Sequence, residues 1–381
     1  MRFVLVFTFL LLLSSGAAQV LNGWEARRGE FPYAVQVHDE RPHLDLPEEG
    51  NVNQYLNRVT CRCTGVITKA NFVLTAAHCV VDEDSGRTNY DTWIVAGDVL
   101  SRRFKEKLIP HYHVHVKRNA DDVIPHGEFN NPPVHSDFDL RVNDVALLYF
   151  ADPLPVDRHP FVRSIAIGPW DDSEPGRGAV CKIMGWGVTR QRWFVDRHGN
   201  RYSEDYDDSD RLLWGETTIL QDRAACRTGD YFNGEYHYCV GGGEQHALKG
   251  DSGGPLVCAV KGTDRLYGTL IGNYLGDTVN YYARLMPYAG WIGGVERSRL
   301  ERKDEVVEVA RIRRAEREQD ARKKSRRAEK NWRKKYNEKI RKTERRKEEI
   351  KRERDAARRE EIRRWELEQE RRRGFHEPCE Q

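Results

Sequence analysis

Between residues 20 and 295 the chain alternates short apolar runs with clusters of Gly, Pro, Asp and Asn. Tyr33–Val37, Phe72–Leu74, Trp93–Val95, Val145–Phe150, Val180–Met184 and Tyr267–Ile271 are rich in β-branched, aromatic and aliphatic residues. Many short strands separated by turn signals predict an all-β barrel or sandwich. No glycine-rich phosphate loop and no alternating strand–helix rhythm interrupts the pattern. Two polar stretches, 38–62 and 189–210, read as surface insertions. From Glu296 the pattern changes abruptly. Arg, Lys, Glu and Ala dominate as far as Arg373, with no Pro or Gly. These residues favour a helix, and opposite charges recur three and four positions apart. Trp332, Tyr336 and Ile340 form one short apolar stripe, and Ile362 with Trp365 another; Gly374 and Pro378 mark the stop.

Charge separates these two parts. Residues 296–381 carry 33 Lys and Arg against 22 Asp and Glu, a net charge of +11. Residues 1–295 carry 30 against 38, a net of −8. At the start, Arg2 precedes the apolar run Phe3–Leu13, and Gly16 and Ala18 suit signal-peptidase cleavage. The run is short for a membrane span, so residues 1–18 are expected to be a secretory signal and the protein to be extracellular, without a transmembrane segment. The eight cysteines suit an oxidising compartment.

Three strings carry the chemistry: LTAAHC at 74–79, NDVALL at 143–148 and GDSGGPLVC at 250–258. A serine hydroxyl needs a nearby base to act as a nucleophile at neutral pH, and a histidine supplies one. The histidine in turn needs a carboxylate to fix its tautomer and stabilise the imidazolium. Glycines around the serine allow a sharp turn and leave backbone N–H groups to hold an oxyanion. Asp137 and Asp139 are alternative acids; Asp144 is preferred because the apolar VALL strand follows it.

With these strings in the order His, Asp, Ser, residues 20–295 resemble the chymotrypsin-like serine proteases. FPYAVQV (31–37), GWG (185–187), YYAR (281–284) and WI (291–292) resemble further markers of that family. The resemblance implies two six-stranded antiparallel β-barrels with the site at their junction, here followed by a long charged α-helical extension. It implies that His78 is the general base and acid, Asp144 its orienting partner and Ser252 the nucleophile. It places the oxyanion hole at the N–H groups of Gly250 and Ser252. Asp251 would pair with a new α-amino group at Val20. The implied disulfides are Cys63–Cys79, Cys181–Cys258 and Cys226–Cys239. Cys61 and Cys379 remain open: paired together, bonded to another chain, or free.

The chain departs from the family in its substrate pocket. His246 stands at the expected pocket base, where a trypsin-like enzyme has Asp, and Leu248 replaces a cysteine. Asn273 and Asn280 fall where glycines line the walls. Trypsin-like specificity is therefore not expected; the pocket either takes an acidic or polar side chain or is plugged. Gln19, not a basic residue, precedes Val20, which predicts activation by trimming of Gln19. His111, His113 and His115 alternate as on a solvated strand face, and no metal or cofactor is assigned. The tail has three readings: a solvated spacer, an anchor for polyanions, or a partner helix; nothing in it suggests sequence-specific nucleic-acid reading. Two functions stay open, a secreted endopeptidase acting on proteins or peptides and a non-catalytic homologue that binds through its loops and tail.

Overall fold

A computed structural model describes residues 20, 22–39, 63–82, 85–101, 116–129, 142–168, 174–195, 201–221, 226, 232–273 and 279–373. Residues 1–19, the histidines at 111–115, Asp137, Asp139, Cys61 and Cys379 lie outside this set. The short strand β1 (Trp24–Glu25) sets Trp24 opposite Trp214. There follow β2 (Ala34–Asp39), β3 (Cys63–Lys69), β4 (Phe72–Thr75), β5 (Thr92–Ala96), β6 (Val116–Asn119), β7 (Asp122–Pro125) and β8 (Ala146–Tyr149). These seven pair in the order β6-β5-β2-β3-β4-β8-β7. At the join between β6 and β7 the chain changes partner. Ala120 N donates to Thr92 O, whereas Asp121 N donates to Tyr149 O. The two short strands thus act as one kinked strand that closes a six-stranded barrel.

The second sheet contains β9 (Val180–Gly185), β12 (Leu213–Ile219), β13 (His237–Gly241), β14 (Pro255–Val260), β15 (Thr263–Asn273) and β16 (Asn280–Arg284). They run in the order β12-β13-β16-β15-β14-β9, and β9 pairs back onto β12. This is a second closed barrel of six strands. Alternation along the strands sorts the core, because successive side chains point to opposite faces. Val73 and Leu148 fill the first barrel, while their neighbours Phe72, Leu74, Leu147 and Tyr149 pack outside it against Met184, Trp186 and Val257 of the second. Ile183, Leu213, Val240, Leu256 and Leu270 fill the second barrel. Disulfides join Cys63–Cys79, Cys181–Cys258 and Cys226–Cys239.

The stretch 189–210, expected to be an irregular insertion, is mostly a ribbon. β10 (Val188–Val195) pairs with β11 (Arg201–Asp208), Val188 opposite Asp208 and Val195 opposite Arg201. An antiparallel ladder rests on backbone hydrogen bonds, so a polar composition does not forbid it. The other insertion begins later than read, since β2 extends through His38 and Asp39.

Two helices follow. Trp291, Ile292 and Val295 of α1 (Ala289–Glu301) pack on the core between the barrels. Glu296 pairs with Lys69 at 2.6 Å, and Arg299 Nε with Asp122 Oδ2 at 2.9 Å. The helix α2 (Lys303–Arg373) runs to the residue before Gly374. Val306 and Ala310 still pack on the body, and the boundary between two compact units falls at Ala310/Arg311, beyond the 295/296 division read from composition. In the second unit Trp332, Tyr336, Ile340, Ile362 and Trp365 are exposed. No helix among the described residues is long and apolar enough to cross a membrane.

Candidate active site

His78 stands in a single 3₁₀ turn, Ala77–Cys79, that follows β4 directly. Its neighbours Ala77 and Cys79 are buried, which aims the imidazole outward from the first barrel. Asp144 lies just before β8, the strand paired with β4, so the two meet across a ladder. Asp144 Oδ2 accepts from His78 Nδ1 at 2.7 Å, and Oδ1 accepts from the His78 backbone N–H at 2.9 Å. The carboxylate is wholly buried. With each oxygen committed as an acceptor, a neutral imidazole carries its proton on Nδ1 and leaves its lone pair on Nε2.

Sequence reasoning missed the residue that fixes this aspartate. Asn143 has φ +62°, a left-handed conformation that asparagine tolerates better than most residues. Its N–H donates to the hydroxyl of Tyr288 at 3.0 Å. Tyr288 comes from the turn before α1, is buried, and has its phenol pushed up to about 12, chiefly by that burial. The only signal available in the sequence was the asparagine itself, placed one residue before an aspartate that must turn sharply.

Ser252 arrives from the second barrel, on the turn before β14. Its carbonyl accepts from Thr64 N at 2.8 Å and lies 3.7 Å from Cys79 Sγ, itself 3.9 Å from His78 Nε2. Two glycines make this approach possible. A Cβ on Gly250 (φ +95°) would lie 2.8 Å from Gly187 Cα; one on Gly253 (φ +75°) would lie 2.2 Å from Thr75 Oγ1. Among the described residues the N–H groups of Gly250 and Ser252 donate to nothing, and no hydrogen bond joins Ser252 Oγ to His78. Cys63, His78 and Cys79 cluster within metal-binding distance, but the two sulfurs are bonded to each other and offer no thiolate.

Asp251 is buried against two loops, one after β9 and one before β14. Oδ1 accepts from Gly187 N at 2.7 Å and Oδ2 from Leu248 N at 2.9 Å. Burial raises its pKa to about 6 against the pull of those two donors. Val20 is also buried, among Cys181, Ile183 and Leu213. The expected pocket residues divide. His246 and Asn280 are buried, and Asn273 is half-buried. Asn280 is locked in place: Oδ1 accepts from Ala247 N at 2.8 Å and Nδ2 donates to Ala247 O at 2.9 Å. Asn273 Nδ2 is shielded from solvent with no partner among the described residues.

The trypsin family profile matches residues 20–292. The chain belongs to the trypsin family. Kallikrein 1-related peptidase b26 of Mus musculus is 28% identical over 273 residues, covering 68% of this chain and 84% of that protein. Granzyme H of Homo sapiens is 26% identical over 298 residues, 76% and 96% of the two chains. Cathepsin G of Mus musculus is 26% identical over 258 residues, 67% and 78%. The match ends at the start of α1, so this trypsin-family body carries a helix of 71 residues that the family profile does not cover.

Proposed function

We propose that the chain is a secreted serine endopeptidase that hydrolyses peptide bonds with His78, Asp144 and Ser252. The observation that carries this is the double contact of Asp144 on His78, which leaves the lone pair of the neutral imidazole on Nε2; Thr64 N and Cys79 Sγ bring the Ser252 backbone to the same corner of the first barrel. In this reading Nε2 takes the proton from Ser252 Oγ as the oxygen attacks the substrate carbonyl. The N–H groups of Gly250 and Ser252 receive the oxyanion. Each such donor is worth about 3 kcal/mol in the transition state. His78 then passes the proton to the departing amine, and water resolves the acyl-enzyme by the same route in reverse.

Specificity follows from the walls of the pocket. The family resemblance puts Asn280 on the pocket wall; there its amide, bonded to Ala247 beside His246, would take up space that a long substrate side chain needs. The site therefore favours a small or compact polar side chain over Arg or Lys. The competing reading, a non-catalytic homologue, draws on the same burial of His246 and Asn280.

A fluorophosphonate probe separates the two. The mature full-length protein should be labelled, and Ser252→Ala should not. Equal labelling of both forms, or none of the wild type, favours the homologue.

A further inference from the structure

The charge of the C-terminal helix is concentrated in one place. Residues 322–347 carry fifteen Lys and Arg against Glu329, Glu338 and Glu344, a net charge of +12. The remainder of 296–381 carries 18 basic and 19 acidic residues, a net of −1. The basic segment lies wholly within α2 and is about 39 Å long at 1.5 Å per residue. In the flanks, cations meet carboxylates three or four residues away, as in Arg302–Glu305 and Glu360–Arg364. Inside the segment three carboxylates cannot balance fifteen cations, so a strong positive potential runs along it. Arg326, Arg327, Lys330, Arg341, Lys342 and Arg345 are exposed. At the helical period Trp332, Tyr336 and Ile340 fall in one narrow stripe, and the cations take most of the remaining circumference.

We propose that residues 322–347 are a binding site for a sulfated glycosaminoglycan. This rests on the secretory reading of residues 1–18, which makes sulfated glycans the linear polyanion that the helix meets. Charge around most of a rod suits a chain laid along or wound about it, with guanidinium and ammonium groups on successive sulfates. A membrane surface suits it poorly: insertion needs a broad apolar face, and the stripe here offers three apolar side chains in 26 residues. Single-stranded nucleic acid is held on open aromatic platforms. Here the rings of Trp332 and Tyr336 stack on each other at 5.0 Å and 12°, which occupies one face of each.

The test measures binding of the full-length protein to immobilised heparin across a salt series. Binding should weaken steeply with salt, as counterion release requires. Replacing Arg326, Arg327, Lys330, Arg341 and Lys342 together by Gln keeps helix propensity, checked by circular dichroism at 222 nm, and should raise Kd at least about tenfold with a shallower salt slope. Arg358→Gln with Arg359→Gln, in a balanced flank, should leave binding unchanged. Ser252→Ala should also bind normally, so a failed protease assignment is distinguishable from a failed glycan site. Wild-type binding by the fivefold variant would overturn the proposal. So would tighter binding to single-stranded DNA or to phosphatidylserine vesicles than to heparin at equal ionic strength.

Discussion

At the scale of single residues, Asp251 is the group whose environment is least suited to its charge. It is buried, receives two backbone N–H groups, and still titrates near 6 instead of near 3.8, because burial outweighs those donors. Its native pKa lies above the unfolded one, so the charged form costs the fold about 3 kcal/mol above pH 6, and the cost disappears as the pH falls toward 4. A buried ammonium beside it would reverse this, holding the native pKa low and making the carboxylate stabilising above pH 4. Val20 is the residue whose freed α-amino group is proposed to do so. Protein beginning at Val20 should therefore melt higher than protein that retains Gln19. The gap should be widest above pH 6 and should close as the pH approaches 4. The same gap at pH 4.5 and pH 7.5 would rule the ion pair out, as would a mature chain that N-terminal sequencing finds starting far from Val20.

At the scale of elements, β16 carries a structural bond and, in the function proposed here, one wall of the substrate pocket. Asn280 binds Ala247 through two buried hydrogen bonds, so Asn280→Ala leaves a backbone N–H and C=O without partners. It should cost about 2–4 kcal/mol of stability. It should also raise kcat/KM about tenfold or more for peptides with a bulkier side chain before the cleaved bond, since one or two methylenes accommodated are worth 1–3 kcal/mol. Unchanged side-chain preference in a peptide library would remove Asn280 from the pocket wall. None of this bond was legible in the sequence, where Asn280 and Ala247 stand 33 positions apart. What was legible was local. Strands β4, β5, β8, β9 and β15 announce themselves by apolar runs bounded by turn residues, and the three motifs sit on or beside such strands. The β10–β11 ribbon stayed hidden because its ladder is made by backbone groups, while its side chains read as loop. Tyr288 stayed hidden for a related reason: its hydroxyl meets Asn143 N from 145 positions away, and no local pattern encodes that meeting.

At the scale of the whole molecule, the two units owe their order to different physics, and heat should separate them. The body is held by closed barrels, three disulfides and buried aromatics such as Trp93 and Trp186, so it should unfold as one cooperative transition. Among the described residues, 311–373 show no comparable core, and their large apolar side chains Trp332, Tyr336, Ile362 and Trp365 are exposed. Their helix depends on propensity and on charge pairs worth about 0.2–0.5 kcal/mol each, so it should melt by fraying, broadly and at lower temperature. Circular dichroism at 222 nm should therefore show a shallow loss of helix before the sharp transition that near-ultraviolet ellipticity reports for the barrel tryptophans. Added salt should move the shallow phase, because like charges within 322–347 repel across one or two helical turns and their mutual repulsion is screened. Coincident sharp transitions at both wavelengths would mean that the helix draws its stability from packing, and that the charged segment is part of the fold and not a free rod for a polyanion.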